Sequence, residues 1–173
     1  MGRTRHLAMS SRDLKNTRVI VGPSRNGYGL FAARSYAPGQ IIMKVIGRVV
    51  RFEILWERRG SFAANCLRFG PNTYLDPGDG LGRYLNHSCE PNAGVRKTNG
   101  QLFVFADALI RAGTEIVIDY STTLGDDDIW RMACDCGRPA CRKIIRRFGS
   151  LPKTLKTRYV DRGLVMKCIL ETL

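Results

Sequence analysis

The chain has 173 residues, 44% of them hydrophobic and 25% charged, which is the length of one domain and the composition of a folded globular protein. No apolar run approaches the roughly 18 residues of a membrane span, and the basic start MGRTRHLAMSSRDLKN lacks the long apolar stretch of a secretory signal. No membrane partner is expected, and a cytoplasmic or nuclear-type reducing compartment is.

The net charge is +13, and it is uneven: residues 131–173 hold eleven Lys and Arg against three Asp and Glu, net +8. Two readings stand side by side. One is docking on nucleic acid or a nucleic-acid-bound partner. The other is a solvated basic surface that aids solubility.

Residues 1–16 read as a flexible basic arm. TRVIVG (17–22) has the β-branched content of a short strand, and PSRNGYG after it reads as a loop. QIIMKVIGRVV (40–50) is broken only at Gly47, which predicts one bent strand or two abutting ones. RFEILWERRGSFAANCLRF (51–69) is ambiguous and is read as a short helix followed by a strand. GDGLG (78–82) lacks the Lys-Ser/Thr of a phosphate loop and reads as a turn. AGVRKTNGQLFVFAD (93–107) has apolar segments on both sides of Asn99-Gly100, a strong hairpin signal. TEIVIDY (114–120) alternates as a strand does. LGDDDIWRMA (124–133) fits one or two helical turns, with Asp126, Asp127 and Asp128 as a cap or as a lure for basic peptide. In the tail, Ser150 is an N-cap candidate with Pro152 at the helix start, and Leu151, Leu155 and Tyr159 fall at helical spacing up to a break near Gly163. The expected class is mainly β with few short helices.

NHSCEPN (86–92) has the Asn, Ser and Pro of a loop that bonds its own backbone, but it also places an imidazole near a thiol. Six cysteines are present, and three of them, Cys134, Cys136 and Cys141, form a C-x-C-x4-C cluster. Closely spaced thiolates suit three corners of a tetrahedral zinc site, and Cys89 is the candidate for the fourth. Disulfides compete, but they fit poorly without a secretory signal and with Cys134 and Cys136 so close. Cys66 and Cys168 read as buried hydrophobes.

The order GYGLFA (27–32), GRYLNHSCEPN (82–92), TEIVIDYS (114–121) and CDCGRPACR (134–142) resembles a SET-domain protein-lysine methyltransferase with a post-SET zinc segment, of the short stand-alone type. The likeness spans roughly residues 17–145. It implies several small sheets with a knot-like C-terminal passage. The implied division is a SET domain over 17–123, a post-SET segment over 124–148 and a helical extension over 149–173. It also implies S-adenosylmethionine as methyl donor, a structural Zn2+, and a lysine-containing protein as substrate, such as a histone or another basic DNA-associated protein. On the same resemblance, the backbone of Tyr28 and Gly29 faces the cofactor, Arg83, Asn86 and His87 line it, and Tyr120 is the catalytic tyrosine that also borders it.

Two departures qualify the carry-over. Lys44, Val45 and Arg48 stand around Gly47 where relatives often carry Glu-Tyr and Glu. Ile118 stands where Phe or Tyr is common, and an apolar residue there leaves room for di- or trimethylated nitrogen. The competing function is a non-catalytic, zinc-stabilised basic module that binds nucleic acid or nucleoprotein. Against it, Asn86, His87 and Tyr120 are all present.

Overall fold

β-Branched and aromatic runs of four to six residues, separated by turn residues, give short strands and hence small sheets. The computed structural model describes residues 18–51, 65–128 and 130–171; among them the strands form five sheets of two or three strands each. β1 (Val19–Ser24) and β2 (Gly27–Ala32) make an antiparallel hairpin. The expected loop PSRNGYG is therefore mostly strand. Gly27, at φ 97°, reverses the chain after Arg25 and Asn26, and the pairing Val21 to Leu30 buries Leu30 completely.

QIIMKVIGRVV takes the two-strand alternative. β3 (Ile41–Val45) and β4 (Arg48–Arg51) part at Gly47 and join different sheets. β5 (Leu67–Gly70) and β6 (Thr73–Asp76) complete the sheet of β4, in the order β4-β6-β5. β5 is the strand read at the end of 51–69, whereas the helix read before it falls at 52–64, outside the described residues. β6 was not anticipated. GDGLG is a turn that leads into a 3-10 turn at Leu81–Tyr84.

β7 (Asn86–His87) follows, and then β8 (Ala93–Thr98) and β9 (Gln101–Ala106) form the expected hairpin. Asn99 and Gly100 have φ of 47° and 71°, the left-handed pair that a two-residue hairpin turn demands. β3, β9 and β8 are the centre of the core: Ile42, Val45, Val95, Leu102, Val104 and Ala106 are at most 1% exposed.

TEIVIDY is strand over only two residues, β10 (Val117–Ile118), which runs parallel to β7. The ladder stays short because its other groups have partners elsewhere: Ile116 N–H donates to the Leu30 carbonyl at 2.7 Å, and Val117 N–H to Asn92 Oδ1 at 2.9 Å. β11 (Met132–Ala133) and β12 (Ile144–Ile145) close a small hairpin.

The helical turns expected over 124–133 are not formed among the described residues. The acidic run is drawn instead to Arg68, which is 1% exposed. Arg68 donates to Asp127 at 2.8 and 2.6 Å and to Asp128 at 2.9 Å, while Asp128 also accepts Gly125 N–H at 2.7 Å. Asp126 pairs with Arg147 at 3.5 Å, so the run caps no helix among the described residues.

In the tail, α1 (Lys153–Asp161) is capped at Pro152 rather than Ser150, whose hydroxyl is taken by the Arg147 carbonyl at 2.7 Å. Leu151, Leu155 and Tyr159 turn inward as their spacing predicts. The helix stops before Gly163 (φ 62°), and α2 (Lys167–Leu170) buries Ile169 beside Leu164 and Met166. No helix among the described residues is long and apolar enough to cross a membrane.

Candidate active site

Each polar residue of NHSCEPN holds something in place. Asn92 replaces a strand neighbour: its Oδ1 accepts Val117 N–H, and its Nδ2 donates to the Glu115 carbonyl at 2.8 Å. Ser88 N–H donates to the Ile118 carbonyl at 2.9 Å, and Ser88 Oγ accepts Glu90 N–H at 3.1 Å. These bonds fasten β10 against β7, and the chain leaves β10 as Asp119-Tyr120 beside His87.

Tyr120 N–H donates to His87 Nδ1 at 3.1 Å. That acceptor role puts the imidazole proton on Nε2, which lies 3.4 Å from Cys89 Sγ. Burial pushes the His87 pKa down to about 4, with Arg142 acting in the same direction and Asp119 opposing, so the ring is neutral. His87 is thus a hinge between Tyr120 and the thiols.

The Tyr120 hydroxyl donates to the Leu85 carbonyl at 2.7 Å. Its ring centroid is 5.3 Å from that of His87 and 6.3 Å from that of Trp130. Burial raises the Tyr120 pKa, and the Glu115 charge adds to this, so the phenol keeps its proton.

Beside His87 lies a small open cleft with polar side chains in its lining. It is lined by Ser24, Arg25 and Asn26 of the β1–β2 turn, by Asn86, His87 and Glu115, and by Cys136 and Arg138 of the thiol segment. Glu115 Oε1 accepts from Ser24 Oγ at 2.7 Å and from Asn86 Nδ2 at 2.8 Å. A Cβ at residue 29 would sit 2.2 Å from that same oxygen, so the close approach of β2 requires Gly29.

Asn86 and His87 therefore line the cleft, Gly29 packs beside Glu115 and Asn86, and Tyr120 stands next to His87. The Tyr28 carbonyl accepts from Asn86 Nδ2 at 3.0 Å, but its ring is 60% exposed and meets Tyr84 edge-on. Arg83 pairs with Asp79 at 2.7 Å and lies over the Tyr84 ring, so its side chain is at the rim and not in the cleft lining. Sequence reasoning assigned no part to Glu115 or Trp130. Glu115 was visible only as a polar residue in an alternating strand, and Trp130 lay in a stretch read as helical.

The thiols of Cys89, Cys134, Cys136 and Cys141 lie within 4.8 Å of one another, and Cys89 Sγ is 3.8 Å from Cys134 Sγ. A tetrahedron with Zn–S bonds of about 2.3 Å has edges of about 3.8 Å, so the four fit a structural zinc ion. Arg142 N–H donates to Cys89 Sγ at 3.4 Å and His87 Nε2 reaches the same sulfur, as suits a thiolate ligand. Cys66 and Cys168 lie apart, packed against apolar clusters.

The family model described as the SET domain matches residues 27–121. The "Histone-lysine N-methyltransferase, H3 lysine-4 specific" of Mycosarcoma maydis is 31% identical over 130 residues, which are 68% of this chain and 9% of that protein. "Histone-lysine N-methyltransferase 2B" of Homo sapiens is 31% identical over 156 residues, 80% of this chain and 6% of that one. The crystal structure of KRYPTONITE in complex with mCHG DNA and SAH matches with a TM-score of 0.60 at 24% identity, covering 76% of this chain and 29% of that one. The chain thus spans less than a tenth of the length of these curated relatives.

Proposed function

Because the chain belongs to the SET-domain family, we propose that it is a protein-lysine N-methyltransferase that uses S-adenosylmethionine. The observation that carries this reading is Tyr120: a protonated phenol, fixed by Leu85 and His87, between the cleft and Trp130. The name histone-lysine N-methyltransferase borne by the relatives supports a histone or another DNA-associated protein as substrate.

The cleft suits that cofactor. Glu115 complements a cationic sulfonium and ammonium group, while Arg25 and Arg138 offer donors to a carboxylate. S-adenosylmethionine supplies a methyl group already activated on sulfur. The chain's task is then positioning. The Tyr120 hydroxyl orients the lysine nitrogen, and the Tyr120 and Trp130 rings exclude water, which lowers the lysine pKa and frees its lone pair. Asn86, His87, Gly29 and the Tyr28 backbone hold the donor's side, while Arg83 stays paired with Asp79 outside the cleft lining. Ile118, fully buried and paired with His87, adds no hydroxyl near the nitrogen, which favours di- or trimethylation.

The experiment is methyl transfer from labelled S-adenosylmethionine to a mixture of basic proteins, with mass spectrometry locating the label. Wild type labels lysine, and Tyr120→Phe loses the label while still binding the cofactor. Absence of both labelling and cofactor binding in wild type would favour the non-catalytic basic module.

Charge supports a nucleoprotein as partner. Asp79, Asp107, Asp119, Asp126, Asp127, Asp128 and Asp135 are all paired with arginines. Lys143, Arg146, Lys153 and Lys167 are exposed without an acidic partner among the described residues. A free basic tail is repelled by such a surface, whereas a substrate bound to nucleic acid is attracted.

A further inference from the structure

Asp119 is 1% exposed, yet its carboxylate meets donors from three separate parts of the chain. Oδ1 accepts Ser121 N–H at 3.0 Å and Arg142 Nη2 at 2.7 Å. Oδ2 pairs with Arg142 Nη1 at 2.7 Å and accepts the Tyr159 hydroxyl at 2.8 Å. The guanidinium thus engages both oxygens with both terminal nitrogens, the strong and direction-setting form of this pair.

The three donors belong to different modules. Ser121 lies in the 3-10 turn Tyr120–Thr123, which Asp119 caps. Arg142 follows Cys141, and its backbone N–H bonds Cys89 Sγ. Tyr159 stands on α1, 0% exposed, with its hydroxyl also 3.4 Å from the Cys89 carbonyl oxygen. One carboxylate therefore joins the turn that begins at Tyr120, the thiol cluster and the tail helix.

Neutralising a buried charge accounts for the presence of Arg142, but a fork alone would do that. The further hydroxyl from Tyr159 and the capping bond to Ser121 fix where the carboxylate points. Tyr120 is the next residue in the chain, and its own N–H is held by His87, so the anchored carboxylate stands one residue from the Tyr120 backbone.

We propose that Arg142 and Tyr159 are positioning residues for Tyr120, acting through Asp119, so that the zinc-binding segment and the C-terminal helix both set the geometry of methyl transfer. This rests on the methyltransferase reading above. Displacing a catalytic group by a fraction of an ångström to one ångström costs about ten- to a hundredfold in rate.

The test uses the full chain with Tyr159→Phe, which removes the hydroxyl and keeps the buried ring, and with Arg142→Lys. Thr157→Ala, on the exposed side of the same helix, is the control. Four quantities are read: kcat and KM on a lysine substrate, cofactor affinity, zinc per chain, and the 13C ring signal of Tyr120, assigned by its loss in Tyr120→Phe. In both variants kcat falls about tenfold or more, KM and cofactor affinity stay within about twofold, zinc is retained and the Tyr120 signal shifts. Thr157→Ala matches wild type throughout. A lowered melting temperature with kcat and the Tyr120 signal unchanged would overturn the proposal and leave the network a purely structural one. If wild type transfers no methyl group, the functional reading falls on its own, and the Tyr120 signal still decides the positioning claim.

Discussion

Asn92 and Gly29 act through what their side chains imitate or lack. The Asn92 amide copies a peptide group and so aligns β10, while Gly29 leaves room for Glu115 and Asn86. Neither role is visible in the residue type alone, since Asn-Pro neighbourhoods and Gly-x-Gly are common turn chemistry. Gly29→Ala is expected to push Glu115 Oε1 off its bonds to Ser24 and Asn86 and to weaken S-adenosylmethionine binding by about tenfold or more, since a hydrogen bond to a charged group is worth about 1.5–3 kcal/mol. Titration calorimetry reads this directly. Unchanged affinity would place the cofactor's contacts away from β2.

The sheet β4-β6-β5 carries a small cluster of Val50, Tyr74 and Cys66. Burial, with Asp76 adding to it, pushes the Cys66 pKa up to about 12 from an ordinary 9.0. Burial and the neighbouring Asp128 likewise raise that of Tyr74. Once unfolded, both groups lose protons at their ordinary values, while the folded chain retains them. Stability is therefore full below about pH 9 and declines as pH rises towards the folded values. Denaturant midpoints at about pH 8 and about pH 10.5 measure the loss, and Cys66→Ala is expected to reduce it. The element built on the thiols behaves differently, because β11 and β12 are too short to stand alone. Chelation at neutral pH should open residues 134–145 to trypsin at Arg142 and Lys143, with the β3-β9-β8 sheet intact by circular dichroism.

Across the described residues seven aspartates are held in ion pairs with arginines, and the net charge of +13 leaves a positive field around the molecule. Methylation of a DNA-bound substrate is therefore expected to fall steeply between about 50 and 200 mM salt, while cofactor affinity changes little. The double variant Lys143→Glu, Arg146→Glu should flatten that salt dependence without altering the rate on a short lysine peptide of zero net charge. A flat dependence in wild type would return the basic surface to a role in solubility.

The sequence by itself determined what local chemistry encodes. The Asn99-Gly100 hairpin, the thiol spacing, the inward face of α1 and the ordered motifs of the SET domain are all patterns within short windows, where turn preference, ligand spacing and helical period act directly. The family resemblance carried Asn86, His87 and Tyr120 to one site. Only the tertiary structure decided how distant groups were spent. Asp127 and Asp128 serve Arg68, about sixty residues earlier in the chain. Asp119 is shared between Arg142 and Tyr159. The strand expected at TEIVIDY shrinks to two residues because Leu30 and Asn92 take its hydrogen bonds. A buried charge or an unpaired backbone group accepts whichever donor the fold brings within about 3 Å, and that choice depends on the packing of segments far apart in the chain.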